Sequence, residues 1–196
     1  MKPLRLTINA FGTYSDKTEI NFENFGNSGL YLISGDTGSG KTTIFDALSF
    51  ALFGQASGST RSNPKALRSD FAKDDNKTYV ELEFLNRGEK YYIKRYCAHE
   101  TINRNGKPKN EPEKAELIKP NNIVLSNLAE VNNEIVEILG IDKNQFSQIV
   151  MIAQGEFQRF LLAPTKEKEK IFRKIFKTKL YQDFQMRLVD KYKAEE

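Results

Sequence analysis

The chain has 196 residues, enough to bury the core of one domain or at most two small ones. Apolar residues make up 39% and charged residues 29%, and no apolar run approaches the roughly 18 residues of a membrane span, which excludes disordered and helical membrane classes. The balance of 30 basic against 26 acidic side chains, a formal +4, is compatible with a polyanionic partner without demonstrating one.

The opening Met1-Lys2-Pro3-Leu4-Arg5-Leu6-Thr7-Ile8 lacks the apolar stretch and cleavage site of a secretory signal, and a single cysteine, Cys97, permits no internal disulfide. Both point to a soluble protein of a reducing cytoplasm. Apolar and polar residues alternate from Leu4 to Ala10 and from Thr18 to Phe25, which predicts two antiparallel, half-buried strands. Gly29-Leu30-Tyr31-Leu32-Ile33-Ser34 is a continuous apolar run and predicts a strand buried on both faces.

That run leads into Gly35-Asp36-Thr37-Gly38-Ser39-Gly40-Lys41-Thr42, which satisfies G-x-x-x-x-G-K-[ST]. After it, Ile44, Phe45, Leu48, Phe50, Ala51, Leu52 and Phe53 are apolar nearly all round until Gly54, which predicts a central, buried helix with a glycine stop. The chemistry explains the spacing: glycines let backbone N–H groups turn inward around phosphates, and the helix adds the positive end of its dipole. Lys41 would reach the β- and γ-phosphates of ATP, Thr42 would offer its hydroxyl to Mg²⁺, and Ser39 and Thr43 would make secondary contacts.

Residues 55–69 read as a long surface loop, of a length that often carries function, and Arg61 and Arg68 sit on it. Thr78–Leu85 and Lys90–Cys97 alternate around Asn86-Arg87-Gly88-Glu89 and predict a hairpin. A polar connection, Asn103–Pro112, then leads to a short strand near Ala115–Lys119. Lys90, Lys94, Arg95, Arg104, Lys107, Lys109 and Lys119 cluster in and after the hairpin, either as neutralisers of duplex phosphates or as an ordinary solvated surface. Leu128, Val131, Ile135, Ile138 and Leu139 predict an amphipathic helix closed by Gly140, and Phe172, Phe176, Leu180, Phe184, Leu188 and Tyr192 an apolar stripe on a last helix. No apolar strand after the loop ends in Asp or Asp-Glu, so the acidic magnesium ligand of phosphoryl chemistry is missing from these residues.

Three stretches carry a resemblance to a known family: Ile8-Asn9-Ala10-Phe11-Gly12-Thr13-Tyr14, the loop from Ser34 to Thr43 continuing through Phe45-Asp46-Ala47-Leu48, and Gln145-Phe146-Ser147-Gln148-Ile149-Val150-Met151-Ile152-Ala153-Gln154-Gly155-Glu156-Phe157. Together they resemble the N-terminal segment of the SbcC family, the ATPases of bacterial SbcCD nuclease complexes, grouped with SMC-like and ABC-type ATPases. The family often has proline where this sequence has Thr13. The resemblance implies an α/β P-loop lobe with a mixed sheet over residues 1–163, and over 164–196 a helix leading into a coiled coil whose base docks the nuclease. It implies that Gln154 touches magnesium and senses the γ-phosphate and attacking water, and that a C-terminal lobe of the same protein supplies the missing acidic residues.

It also implies a head-to-tail dimer of ATPase heads, an SbcD nuclease partner cutting double-stranded DNA under ATP control, and a nucleoid-associated location. Two rivals remain open at this point. One is an SMC-type DNA-tethering module without a nuclease, the other a self-contained small-molecule kinase. A GTPase is disfavoured because no Asn-Lys-x-Asp motif occurs.

Overall fold

The computed structural model describes residues 1–26, 31–57, 67–73, 75–102, 108–149, 164–165, 184–188 and 190–192, with backbone alone at 100–102, 108–110 and 148–149. The chain divides into two compact units, Met1–Lys143 and Asn144–Glu196. The expected division after residue 163 falls outside the described residues. In the second unit Phe184–Leu188 and Asp190–Tyr192 are helical.

In the first unit the strands are β1 (Lys2–Asn9), β2 (Thr18–Asn21), β3 (Tyr79–Asn86), β4 (Glu89–Tyr96), β5 (His99–Ile102), β6 (Pro108–Glu111), β7 (Lys114–Ile118) and β8 (Val124–Leu125). Helices are α1 (Lys41–Phe53), α2 (Leu128–Leu139) and α3 (Lys143–Ile149), the last running on into the second unit. Six strands form one sheet in the order β2-β1-β3-β4-β7-β8, and β5 pairs with β6 alone. Every described pairing is antiparallel.

Register explains the core. Leu6 stands opposite Leu82, Leu82 opposite Ile93 and Ile93 opposite Leu117, so one apolar row crosses four strands and all four side chains are fully buried. The helices α1 and α2 lie against this sheet, α1 on β3 and β4 and α2 on β7. Val131 and Ile135, four apart on α2, are buried, as a stripe facing a sheet requires.

The hairpin formed as predicted, closed by Arg87 and Gly88, both at positive φ, the backbone of a two-residue type I′ turn. The helix stops are also those predicted, Gly54 donating to Phe50 O at 2.8 Å and Gly140 to Val136 O at 2.8 Å. Three expectations change. The second strand ends at Asn21, whose side chain accepts from Glu23 N at 3.0 Å and turns Phe22–Phe25 into a 3-10 helix. The polar connection after the hairpin carries the small β5–β6 ladder. Tyr31–Ser34 has no strand pairing, and Leu32 is 92% exposed. An apolar run specifies a strand only where neighbouring strands supply partners for its amides, and none of the described strands pairs with it.

Candidate functional site

The loop Gly35–Gly40 projects from the head of α1, with Gly35, Asp36, Thr37, Gly38 and Ser39 all exposed. Its closing bond is Ser39 N to Asp36 O at 3.2 Å. The Lys41 ammonium donates back across the loop to Gly35 O at 2.7 Å and Asp36 O at 2.6 Å, with Ser39 Oγ at 3.5 Å. A cation therefore stands over a concavity of backbone, the arrangement that takes an anion.

Gly40, the residue before α1, has left-handed backbone and no side chain to cap the first turn, so the initial N–H groups of the helix are open to an anionic ligand. Thr42 is exposed on that turn, whereas Thr43 is buried. The sequence thus separates two adjacent threonines by helical phase. One side chain is open to solvent, and the other faces the fold.

What Thr43 faces is the segment Gly12–Tyr14. Thr13 Oγ1 lies 3.4 Å from Thr43 Oγ1, and Tyr14 Oη lies 3.5 Å from Gly40 O, both long contacts rather than strong bonds. Packing is tight. A Cβ on Gly12 would meet Thr43 Cγ2 at 2.4 Å, and one on Gly40 would meet Thr13 Oγ1 at 2.5 Å. Burial raises the Tyr14 phenol above its ordinary pKa.

This hook is braced from behind. Gly12 N donates to Leu67 O at 2.8 Å and Ser69 N to Ala10 O at 2.9 Å. The Arg68 guanidinium donates to Asn76 O at 2.6 Å, Thr78 Oγ1 at 2.8 Å and Lys73 O at 2.7 Å. Arg68 is thereby a loop clamp, its fork spent on local acceptors; Arg61 lies outside the described residues. The sequence held one sign of the hook, the glycine at position 12, which the structure places at positive φ, but no periodicity announces such a contact.

The described lysines of the hairpin cluster are each paired with a carboxylate. Lys94 pairs with Glu81 at 2.6 Å, Lys90 with Glu83 at 2.7 Å and Lys119 with Glu134 at 2.6 Å. Cross-strand register opposes Lys94 to Glu81 on one side and to Glu116 on the other, which neutralises the row. Arg95 is fully buried. Its phase, with Tyr91 and Ile93, is that of the core, so alternation already placed it inside. Lys109 has no described side chain, and Arg104 and Lys107 lie outside the described residues.

Arg95 instead grips the far end of α1. Its Nε donates to Ala51 O at 2.7 Å and its Nη2 to Leu52 O at 3.0 Å and Asn132 Oδ1 at 2.7 Å. Glu113 Oε1 stands 3.6 Å from Nη1. Burial lowers the guanidinium pKa to about 10 against the opposing pull of Glu113, which leaves it protonated at neutral pH. Burial likewise raises the Glu113 carboxyl above its ordinary range, with Arg95 opposing.

Gln154 lies outside the described residues. Among the described residues no group of three or more His, Cys, Asp or Glu side chains stands together as a metal site, and no helix is long and apolar enough to cross a membrane. Cys97 is a buried thiol whose pKa is pushed up by burial.

A phosphate loop heading a buried helix, laid on an antiparallel sheet, defines a class: the N-terminal lobe of a P-loop ATPase head. The chain belongs to the AAA domain family, whose model matches residues 5–196. Among curated proteins it is similar to the SbcC subunit of the nuclease SbcCD from Vibrio cholerae, 33% identical over 97% of this chain and 19% of that protein. The corresponding proteins of Staphylococcus saprophyticus and Staphylococcus aureus are each 36% identical, over 98% and 100% of this chain and 19% of theirs. The chain thus spans about a fifth of the length of these relatives. The resemblance to SbcC-type ATPases read from the sequence is borne out. A structure from work on ATP-driven dimerization and DNA-stimulated activation of SMC ATPases shares the fold at a TM-score of 0.62, with 22% identity over 89% of this chain and 99% of that one.

Proposed function

We propose that this chain is the phosphate-binding lobe of an SbcC-type ATPase, which takes ATP on Gly35–Thr43 and hydrolyses it in the complete protein. The observation that carries the proposal is Lys41, folded onto Gly35 O and Asp36 O at the head of a helix with no side-chain cap. On arrival of the triphosphate the ammonium exchanges two carbonyls for the β- and γ-phosphate oxygens, a stronger, charge-assisted pairing. Amides of residues 38–43 hold the remaining oxygens, and Thr42 would hold Mg²⁺, which would draw charge from the phosphates. Gln154 is the proposed second contact to magnesium and the orienter of the attacking water.

The bare Leu32–Ile33 stretch beside the loop supports a second lobe of the same polypeptide covering it and completing the metal site. In that assembly two heads meet head-to-tail around ATP, and closure gates exonuclease and hairpin endonuclease cutting of double-stranded DNA by an SbcD-like nuclease, in the cytoplasm at the nucleoid. The names of the relatives support this wider reading. Calorimetric titration with ATP and magnesium tests the core of it. Wild type is expected to bind and Lys41→Ala to lose binding by at least about tenfold, the loss of roughly one charge-assisted bond. Equal affinities would refute the phosphate-loop assignment.

A further inference from the structure

The helix α1 has two working ends, and the proposed function uses one. The other ends in a last turn where the carbonyls of Ala51 and Leu52 lie beyond the helix's own hydrogen-bond ladder. Arg95 reaches two successive carbonyls of that turn with different nitrogens of one rigid fork, Nε to Ala51 O at 2.7 Å and Nη2 to Leu52 O at 3.0 Å. One bond would restrain the helix end along a single direction. Two bonds from a planar group to carbonyls about 100° apart around the axis restrain rotation and sliding together.

The fork itself is held. Its Cα sits in β4 opposite Val80 of β3 on one side and Ala115 of β7 on the other, and its Nη2 also donates to Asn132 on α2. Nη1 faces Glu113 at 3.6 Å without a hydrogen bond. No slack remains at the helix end, because a Cβ on Gly54 would meet Glu113 Oε1 at 2.7 Å and Arg95 Nη1 at 3.4 Å. A burial this costly needs only a neutral cap if its sole task is to satisfy carbonyls.

We infer that Arg95 is a positioning residue for phosphate binding. It sets the height and rotation of α1 against the sheet, and α1, a hydrogen-bonded rod of about 20 Å, carries that setting to Lys41 and the loop amides at its other end. The inference rests on the phosphate-loop reading. Anion recognition by fixed amides falls steeply with displacements near 1 Å, so a loosened cap is felt at the loop although no atom of Arg95 lies there.

The test is ATP–magnesium titration calorimetry on the full chain, held well below its melting transition, with hydrogen exchange read at the amides of residues 37–43. Arg95→Lys keeps a charge but not the fork, and should weaken ATP binding about tenfold and speed exchange at 37–43 more than in β1 and β3. Asn132→Ala, which spares both α1 carbonyl bonds, should stay within about twofold of wild type. If Arg95→Lys does not fold, Arg95→Met combined with Glu113→Gln leaves no unpaired buried charge and should show the same tenfold loss.

Wild-type affinity in a folded variant lacking the fork, or exchange that accelerates uniformly across the sheet, would overturn the inference and leave Arg95 a structural cap. Lys41→Ala separates the two readings. If it loses ATP while the Arg95 variants keep it, the positioning role alone fails; if it binds as wild type does, the phosphate-loop reading fails and takes this role with it.

Discussion

Replacing Gly40 by alanine perturbs the loop in two ways that the structure keeps apart. Gly40 has φ 92°, a region where an L residue costs about 1–2 kcal/mol. Its Cβ would also meet Thr13 Oγ1 at 2.5 Å and the Tyr14 ring at 3.1 and 3.2 Å. The threonine hydroxyl can rotate, but the ring sits on a braced segment, so overpacking should add about 1–3 kcal/mol. Gly38, at φ 88° with nothing within 4 Å, carries the backbone cost alone.

Gly40→Ala should therefore be less stable than Gly38→Ala by about 2 kcal/mol, a difference of roughly 4–8 °C in melting temperature for a domain of this size. Urea unfolding followed by circular dichroism measures it. Thr13→Ala in the Gly40→Ala background should recover part of the gap. Equal losses at the two glycines would refute the packing of the Gly12–Tyr14 hook against the loop.

Other consequences concern the buried groups. Arg95→Ala should destabilise by about 3–5 kcal/mol, because it leaves Glu113 as an uncompensated charge and strips the last turn of α1 of its cap; denaturant midpoints read this directly. Glu113 holds its proton more tightly folded than unfolded, since burial raises its pKa above the ordinary 4.5. The stability it contributes is fully present below pH 4.5 and fades as pH rises through the higher folded value. Wild type should accordingly gain on Glu113→Gln as pH falls from 7 toward 4.5, and a gap independent of pH would contradict the raised pKa of this half-buried carboxyl. Cys97, buried with a raised pKa, should resist a thiol reagent in the native state and react at once in urea.

Much of the lobe was legible in local pattern. Gly35 to Gly54 reads as loop, helix and stop because phosphate geometry, helical periodicity and the glycine cap are each properties of a few consecutive residues. The hairpin around Arg87-Gly88 and the helix closed by Gly140 are legible for the same reason. Arg95 was misplaced by its charge. Its position two residues after Ile93 put it in the core phase, and the period of a strand outweighs the polarity of one side chain when a cap and a counterion are waiting.

The family, the phosphate loop and the positions of most strands and helices follow from the amino-acid order alone, since they depend on spacing along the chain. The fates of the cations do not. Lys90, Lys94 and Lys119 are paired, Arg68 is a clamp and Arg95 is a helix anchor, because cross-strand register and chain return choose the partners of a charge. The same holds for Tyr31–Ser34, which has no strand pairing: a strand needs neighbours, and a run of apolar residues cannot name them.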